Sequence, residues 1–218
     1  MNRLAQSLGG CEVWRIRPAA LYLAAHLRPR TVLDYGCGDG AWLSVFAELG
    51  IPTIGIDRTD RVRNGIGVFV QHDLRKPLPP VFDNGMVGVR VKEPSLALCL
   101  EVAEHLPETS ARDLVSMLAR HSAVAFSAAV PGQGGLGHVN EQWQSYWAAK
   151  FSVCGMYPNL EFRRRFWSRV SIPAWYRQNL VVYTRQEEFE LGPLDVVHPE
   201  LARARSIMAL WSQIWRKA

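Results

Sequence analysis

Residues 32–40 of the chain read Val-Leu-Asp-Tyr-Gly-Cys-Gly-Asp-Gly, and apolar side chains follow them at helical spacing. A buried strand, a glycine turn and a helix in this order are typical of a ligand-binding loop. Closely spaced glycines let the backbone approach a ligand, and the free amide groups at the start of the helix can bind it. The stretch therefore predicts a cofactor site at the end of the first strand.

Strands and helices alternate on both sides of this turn. Buried strands are predicted over residues 31–35, 53–56, 68–70, 96–100, 123–126 and 180–183. Residues typical of helix ends predict four helices before and between the strands. Pro18 would lie in the first turn of one, and Gly50 would end another. Ser110 with Asp113 would start a third, and Asn140 would cap a fourth. The alternation predicts an α/β fold, a doubly wound and mostly parallel sheet with helices on both faces. Ligands of such sheets bind beyond the carboxyl ends of the strands.

The chain has 218 residues, 48% of them hydrophobic and 21% charged, which is enough for one buried core. We predict a single domain in which residues 1–30 form a helical lead-in, 31–184 the core, and 185–218 a tail with a helix opened by Pro199. No apolar run reaches the length of a membrane span, and the four cysteines lack the pair spacing of a metal site. These features predict a cytoplasmic protein without a leader or anchor, a membrane partner or a metal site.

The net charge of +5 is unevenly distributed, because residues 161–185 contain six arginines and one acid. Arginines interleaved with aromatic residues over 162–167 can hold nucleic acid or another phosphate-bearing acceptor. An amphipathic helix with a solvated face explains the same pattern, and no dedicated nucleic-acid module is present. The role of this segment, including 163–169, and that of residues 83–94 are not determined by the sequence.

The glycine turn alone fits two cofactors. Asp57 ends the second predicted strand 21 residues after Gly36, where a dinucleotide-binding fold places its ribose-binding acid. The spacing therefore leaves both a nicotinamide cofactor and a methyl donor open.

Several segments resemble class I S-adenosylmethionine-dependent methyltransferases. Residues 32–40 are similar to the first motif of that family, and residues 98–107, Leu-Cys-Leu-Glu-Val-Ala-Glu-His-Leu-Pro, to the segment that follows its fourth strand. Residues 137–147 and 175–180 resemble a bacterial and phage group of such enzymes. The resemblance covers residues 31–184 and implies a seven-stranded, Rossmann-like fold with S-adenosylmethionine as the cofactor.

The sequence departs from this family directly before the fourth strand. Family members usually carry an acid there, whereas this chain has Pro94 and Ser95, with Phe82 and Asp83 upstream. An insertion between the two places would explain the difference.

The resemblance also implies roles for residues at the strand ends. Asp34 would orient the cofactor's amino group, and the glycines would lie beside its methionine portion. Asp57 would bind the ribose hydroxyls, because a carboxylate holds two adjacent hydroxyls well, and Asp73 with its neighbour would face the adenine. The implied cofactor residues are Asp34, Tyr35, Gly36, Cys37, Gly38, Asp57, Arg58, Asp73, Leu74 and Glu101.

Two histidines are candidate bases. Methyl transfer from a sulfonium starts with an activated leaving group, so the protein chiefly aligns the acceptor and removes water. His105 follows the fourth strand and His138 the glycine-rich loop, where either could take a proton from a hydroxyl. The resemblance favours His138. Trp143, Trp147 and Phe151, at helical spacing, are more typical of core packing.

The leading hypothesis is a methyltransferase acting on an oxygen or nitrogen atom of a small molecule, such as a sugar or secondary metabolite. The second is a nucleic-acid methyltransferase, and the third an oxidoreductase with a nicotinamide cofactor. The fourth is a non-catalytic member that binds the cofactor, or nothing, and acts through a partner docked on its tryptophan-bearing terminal helix. The sequence identifies neither the acceptor nor the oligomeric state.

Overall fold

The computed structural model describes residues 4–60, 67–76, 91–186 and 192–204. Its helices are α1 (Leu4–Leu27), α2 (Ala41–Glu48), α3 (Ala111–Leu118), α4 (Gln144–Val153), α5 (Glu161–Phe166) and α6 (Ala174–Asn179). Its strands are β1 (Thr31–Tyr35), β2 (Thr53–Asp57), β3 (Val68–Gln71), β4 (Ser95–Leu100), β5 (Ala123–Ser127), β6 (Tyr157–Asn159) and β7 (Val181–Thr184). The predicted alternation of strands and helices is confirmed.

The seven strands form one sheet in the order β3-β2-β1-β4-β5-β7-β6. All described pairs are parallel except the two that β7 makes with β5 and β6. Asp34 in β1 lies opposite Gly55 of β2 and Leu98 of β4. The predicted doubly wound, mostly parallel sheet is therefore confirmed, and the strand order reverses between β1 and β4, where such sheets bind ligands.

Side chains of the central strands alternate between two cores. In β4, Leu96, Leu98 and Leu100 pack in the core beneath α1, α2, α5 and α6, whereas Ala97 and Cys99 pack in the core beneath α3 and α4. All six residues of this strand are buried. Helices thus cover both faces of the sheet, and only the strand ends and the loops beyond them remain for a site.

The prediction for Pro18 is wrong. The helix begins at Leu4, so Pro18 lies in its interior rather than in its first turn. Proline removes one helical hydrogen bond there. Ile16, Ala19 and Leu23 on the same helix are buried in the core with α2, and this packing holds the helix through the proline.

The prediction for Asn140 is also wrong. Helix α4 begins at Gln144, and its first turn is capped by a residue distant in sequence. The Asp195 carboxylate accepts the backbone N–H of Ser145 at 2.8 Å and its hydroxyl at 2.6 Å. A carboxylate at a helix N-terminus satisfies free amide groups and complements the helix dipole.

The aromatic residues of α4 behave as predicted, since Trp147 and Phe151 are fully buried in the core. Trp143, directly before the helix, is 37% exposed. Residues 199–204 are helical after the predicted start at Pro199. The later apolar positions of that helix, and residues 83–90, lie outside the described residues. No helix in the described ranges is both long and apolar enough to cross a bilayer.

Candidate active site

The glycine turn joins β1 to α2 at the carboxyl edge of the sheet. Gly36 and Cys37 donate their backbone N–H groups to the Ile56 carbonyl at 2.7 and 3.1 Å. Gly36 has a φ of +88°, and a Cβ atom on it would lie 2.4 Å from Val102 Cγ2. Because no side chain fits, the backbone of the turn passes directly against the segment that follows β4.

A cavity of about 450 Å³ opens beyond this turn. His105 and Val102 form part of its wall, at the end near β4. Seven of the ten residues implied as cofactor-binding also line it: Gly36, Gly38, Asp57, Arg58, Asp73, Leu74 and Glu101. The structure therefore brings together most of a set that spans several separate strand ends.

Asp57, at the end of β2, is held in a fixed orientation. Its Oδ2 accepts the backbone N–H of Gly38 at 3.0 Å, and its Oδ1 accepts the backbone N–H and the hydroxyl of Thr59 at 2.8 and 3.0 Å. A carboxylate has room for about four hydrogen bonds, so it can still accept from a ligand. The arrangement suits recognition of two adjacent hydroxyl groups.

Asp34 and Cys37 line a smaller recess of about 110 Å³ that shares Gly36 with the main cavity. Burial, with the charges of Asp57 and Asp39, raises the pKa of Asp34 to about 8. A carboxyl group kept neutral by burial and by like charges is stabilised in its ionised form by a cation. Burial likewise raises the pKa of the Cys37 thiol to about 12, so this cysteine is not an activated nucleophile.

Tyr35 lines neither of these cavities. Its buried side chain lies in the core under α3 and α4, and its hydroxyl pairs with His121 Nε2 at 2.7 Å. Burial lowers the pKa of His121 to about 4, so the imidazole is neutral, and its Nδ1 lies 3.0 Å from Ser95 Oγ. The Tyr35 side chain is thus part of a polar network beneath the sheet.

Glu93 completes that network at the start of β4. Its carboxylate accepts the Ser95 backbone N–H at 2.7 Å and the Ser95 hydroxyl at 2.8 Å, and it also contacts the Ser122 hydroxyl. These hydrogen bonds hold the pKa of Glu93 below its usual range despite partial burial. An acid therefore lies two residues before the fourth strand, close to the place where Pro94 and Ser95 depart from the family pattern.

Asp73 follows β3 and is paired with Arg75. The Arg75 Nε donates to the two carboxylate oxygens at 2.9 and 3.0 Å, and its backbone N–H donates at 3.1 Å. This pairing holds the pKa of Asp73 well below its usual range. Leu74, 9% exposed, lies between them against the cavity. Together these residues form a polar and an apolar wall at the end of the cavity away from β4.

Glu101 and Glu104 follow β4. Glu101 adopts a left-handed backbone conformation, with a φ of +56°, and its N–H donates to the Ser127 carbonyl at 3.0 Å. Its carboxylate accepts from Asn179 Nδ2 at 3.1 Å, and Oε1 of the fully buried Glu104 accepts the Ala129 N–H at 3.2 Å. Burial raises the pKa of both carboxyl groups, and their proximity raises that of Glu101 further. The pair therefore tends to hold a proton.

The two candidate bases are neighbours. The rings of His105 and His138 are 4.8 Å apart between centroids and almost perpendicular. His105 Nδ1 lies 3.2 Å from the Gly137 carbonyl, and His138 Nδ1 lies 2.8 Å from Glu141 Oε1. Since both partners are acceptors, the Nδ1 atom of each ring is the donor in these contacts. His105 lines the main cavity, and His138 lies beside it.

The glycine-rich loop before His138 is fastened by one side chain. The two oxygens of Glu141 accept the backbone N–H groups of Gly132 and Gly134, each at 2.7 Å. The composition of this loop suggests mobility, yet these bonds fix its position. Glu141, Asn179 and Thr59 were not predicted from the sequence. For Glu141 alone there was a local signal, since an acid three residues after a candidate base can orient it.

Half of the arginine-rich segment is structural. Arg163 is 5% exposed and donates to the carbonyls of Pro193 and Leu194 at 3.0 and 2.9 Å. Arg177 is 2% exposed and donates to the Ile172 carbonyl and to Glu200, and Arg185 donates to the Ala119 carbonyl.

Over residues 162–167 the helix α5 is amphipathic, as the alternative interpretation predicts, since Phe162 and Phe166 are buried and Arg164 and Arg165 are exposed. The buried Arg163 departs from that solvated face. The exposed arginines of the segment are Arg164, Arg165, Arg169 and Arg185, of which Arg185 still donates to the Ala119 carbonyl.

Comparison with known proteins agrees with this geometry. Residues 14–169 match the model of a family described as a methyltransferase domain. A ubiquinone biosynthesis O-methyltransferase of Paraburkholderia xenovorans is 32% identical over 104 residues, which is 46% of this chain and 44% of that protein. The chain thus spans less than half the length of this curated relative.

Two solved structures are similar in fold. Magnesium protoporphyrin IX methyltransferase of Synechocystis, with bound S-adenosylmethionine, superposes with a TM-score of 0.55 at 16% identity over 85% of each chain. The CcbJ methyltransferase of Streptomyces caelestis gives a TM-score of 0.52 at 15% identity, over 77% of this chain and 88% of that one. Since the family model matches well over half of the residues, the chain belongs to the class I S-adenosylmethionine-dependent methyltransferase family.

Proposed function

We propose that this chain transfers a methyl group from S-adenosylmethionine to an oxygen or nitrogen atom of a small-molecule acceptor. The observation that carries the proposal is the cavity beyond the glycine turn, with Asp57 on its wall and Asp34 in the adjoining recess. The cofactor has two adjacent ribose hydroxyls, an ammonium group and a sulfonium. A fixed carboxylate fits the hydroxyls, and a buried carboxyl fits the positive charges.

We assign the remaining cofactor residues by their places around the cavity. Asp57 and Arg58 face the ribose, and Asp73 and Leu74 face the adenine. The backbone of Gly36, Cys37 and Gly38 lies along the methionine portion, where a side chain at position 36 would meet Val102. Glu101 lies at the end of the cavity near β4. Tyr35 contributes through the backbone of the turn, because its side chain packs beneath the sheet.

When bound, the cofactor supplies an electrophilic methyl group on a leaving group that is already activated. The chain must then align the acceptor, exclude water and accept a proton if the nucleophile is a hydroxyl. His138 is the proposed base, oriented by Glu141 in the way that a carboxylate orients a catalytic imidazole. His105 lies between His138 and the cavity and is the second candidate.

Two observations favour a small, oxygen-bearing acceptor. Arg163, Arg177 and Arg185 are used within the protein, so the basic surface left for a nucleic acid is smaller than the sequence suggests. The relative from Paraburkholderia xenovorans is described as an O-methyltransferase. A nucleic-acid acceptor would instead require binding that falls steeply with salt.

We also propose that the 218 residues form one domain with its core over residues 31–184, in a reducing, cytoplasmic location. The free thiols of Cys37 and Cys99, both buried, support this proposal. Alkylation of the chain as extracted, without reductant, should label every cysteine after unfolding. A disulfide detected by mass spectrometry would contradict it.

Calorimetric titration with S-adenosylmethionine, S-adenosylhomocysteine and NAD tests the function. We expect the first two to bind in the micromolar range and NAD not to bind. Asp57→Ala should weaken binding about 100-fold, because it removes charge-assisted hydrogen bonds worth roughly 2–3 kcal/mol. Asp60→Ala is the matched control, since this exposed neighbour does not line the cavity and should leave the affinity unchanged.

Binding of NAD alone would overturn the proposal in favour of an oxidoreductase. If the methyl donor binds, transfer of a labelled methyl group to a panel of hydroxylated and amine-bearing small molecules is the next measurement. Transfer to RNA or DNA, in preference to every small molecule, would contradict the proposed acceptor class.

A further inference from the structure

Among the described residues, one group of side chains has the composition and spacing of a metal site. One ligand atom from each of Glu104, His105 and His138 lies within 4.8 Å of the others. Two of these residues follow β4, and the third follows the glycine-rich loop. The group is thus assembled from segments that are distant in sequence, at the edge of the main cavity.

The two histidines are oriented as metal-binding histidines usually are. Imidazoles that bind metals commonly donate their second ring N–H to a carboxylate or a backbone carbonyl, which fixes the tautomer and the ring. His105 has this contact with the Gly137 carbonyl, and His138 has it with Glu141. Glu141 is itself fixed by two backbone N–H groups, from Gly132 and Gly134. These contacts leave the Nε2 atom of each ring as the atom that could bind a cation.

The carboxylate in the group supplies an independent observation. Glu104 is fully buried, and its Oε1 accepts the Ala129 N–H. Oε2 of the ionised Glu104 carboxylate has no hydrogen-bond partner among the described residues. A buried charged oxygen without a partner is destabilising, and a cation bound to it would remove that cost.

We propose that Glu104, His105 and His138 bind one divalent cation. Two imidazoles and one carboxylate are the ligand set of many catalytic zinc sites and of non-haem iron sites, and they leave coordination positions open. Imidazole ligands favour Zn²⁺, Ni²⁺ or Fe²⁺ over Ca²⁺, Mg²⁺ and Mn²⁺. The cysteine spacing in the sequence predicted no metal site, and this site contains no cysteine.

The site has a consequence for the proposed methyl transfer, and this step alone rests on that function. His105 also lines the main cavity, so a cation held here would face it. A hydroxyl bound to a cation has a lowered pKa and would release its proton to solvent water, so that no side-chain base would be needed. His138 and His105 would then act as ligands of the cation rather than as proton acceptors.

Cation binding is tested on the full chain after treatment with a chelator and dialysis. Titration with CoCl₂, followed by visible absorption, and with ZnCl₂, followed by calorimetry, should each show one high-affinity site per chain. His138→Ala and Glu104→Gln should each weaken binding about 100-fold or more. His26→Ala, which removes a histidine outside the group, is the matched control and should leave the affinity unchanged.

A variant that leaves all three ligands in place sharpens the test. Glu141→Gln removes the carboxylate that orients His138, and we expect a loss of about 10–100-fold in cation affinity. Equal affinity in His138→Ala, Glu104→Gln and the native chain would overturn the proposal. Near-ultraviolet circular dichroism shows whether each variant is folded, and an unfolded Glu104→Gln protein leaves His138→Ala and Glu141→Gln to decide.

Titration with S-adenosylmethionine in the presence of chelator separates this inference from the proposed function. Binding of the methyl donor without any cation site would overturn the inference and leave the function standing. A cation site in a chain that does not bind S-adenosylmethionine would overturn the proposed function and leave the inference standing.

Discussion

The two halves of the candidate site are built in different ways. The cofactor half comprises the glycine turn and the ends of β2 and β3. Its side-chain contacts join residues that are close to one another in the sequence. Asp57 bonds to Thr59 two residues away and to Gly38 nineteen residues away, and Asp73 bonds to Arg75 two residues away. The acceptor half comprises the segments after β4 and β5. Its partners are distant, as with His105 and Gly137, which are 32 residues apart.

This difference has a physical origin. A ligand shared by a whole family can be bound by backbone groups and by carboxylates at strand ends, which the fold itself positions. An acceptor is recognised by side chains that have to be brought together from several loops, and loops carry specificity because they can change without disturbing the sheet. The cofactor half should therefore be sensitive to backbone changes, and the acceptor half to loss of distant side-chain contacts.

The sharpest test of the cofactor half is Gly36→Ala. The new Cβ would lie 2.4 Å from Val102 Cγ2, at a φ of +88° that disfavours any side chain. We expect a loss of about 2–4 kcal/mol in the free energy of unfolding, from overpacking and backbone strain together. Binding of S-adenosylmethionine should fall at least tenfold. Urea unfolding and calorimetric titration measure the two effects.

Gly50→Ala separates strain from overpacking. Gly50 has a comparable φ of +73°, and no described atom lies within 4 Å of the place that its Cβ would take, so only the strain of about 1–2 kcal/mol should appear. In the Gly36→Ala/Val102→Ala double variant, part of the lost stability should return. Equal costs for Gly36→Ala and Gly50→Ala would show that close packing on Val102 does not constrain the turn.

The same contrast explains which features the sequence predicted. Strand positions, the glycine turn and the acids at the ends of β1, β2 and β3 are encoded in contiguous residues, and seven of the ten predicted cofactor residues line the cavity. Tyr35 was included because it lies within the motif. Successive side chains of a strand face opposite ways, and the one at position 35 faces the core under α3 and α4.

Features that depend on distant residues were not predictable in this way. Nothing near Gln144 in sequence indicates that Asp195 caps its helix, and nothing near Glu101 indicates Asn179. Strand β6 has only three residues, one of them Pro158, and it is recognisable only once β7 lies beside it. Pro18 shows a related ambiguity, because tertiary packing decides whether a proline begins a helix or lies within it.

The charge of Asp34 offers a second test of the cofactor half. Burial and two nearby acids raise its pKa to about 8, so binding the positive cofactor at neutral pH requires loss of a proton. The affinity for S-adenosylmethionine should rise up to about tenfold per pH unit between pH 6 and 8, and then level off. Calorimetry in buffers of different ionisation enthalpy should detect the released proton. A flat pH profile would contradict the assignment of Asp34 to the cofactor.

Asp34→Asn should flatten this profile and change stability in a defined direction. A raised pKa in the folded state means that the folded chain holds the proton more tightly than the unfolded chain. The native free energy of unfolding should therefore fall as pH rises from about 4 to about 8, and the amide variant should not share that fall. At pH 8 we expect the variant to be more stable by about 1–2 kcal/mol. Asp60→Asn, at an exposed position, is the control.

The smallest expected effect tests the long-range contacts around the acceptor half. Asp195→Ala removes the cap of α4, which should cost about 1 kcal/mol and lower the Tm by roughly 2–4 °C. Ser110→Ala is the matched control, because Ser110 precedes α3 yet its side chain makes no capping bond within the described part of the chain. Cofactor affinity should be unchanged in both variants, since neither residue lines the main cavity. If Asp195→Ala lowered both the Tm and the affinity for S-adenosylmethionine, the two halves would be energetically coupled. The division between a locally built cofactor half and an acceptor half assembled from distant residues would then describe only their contacts and not their stability.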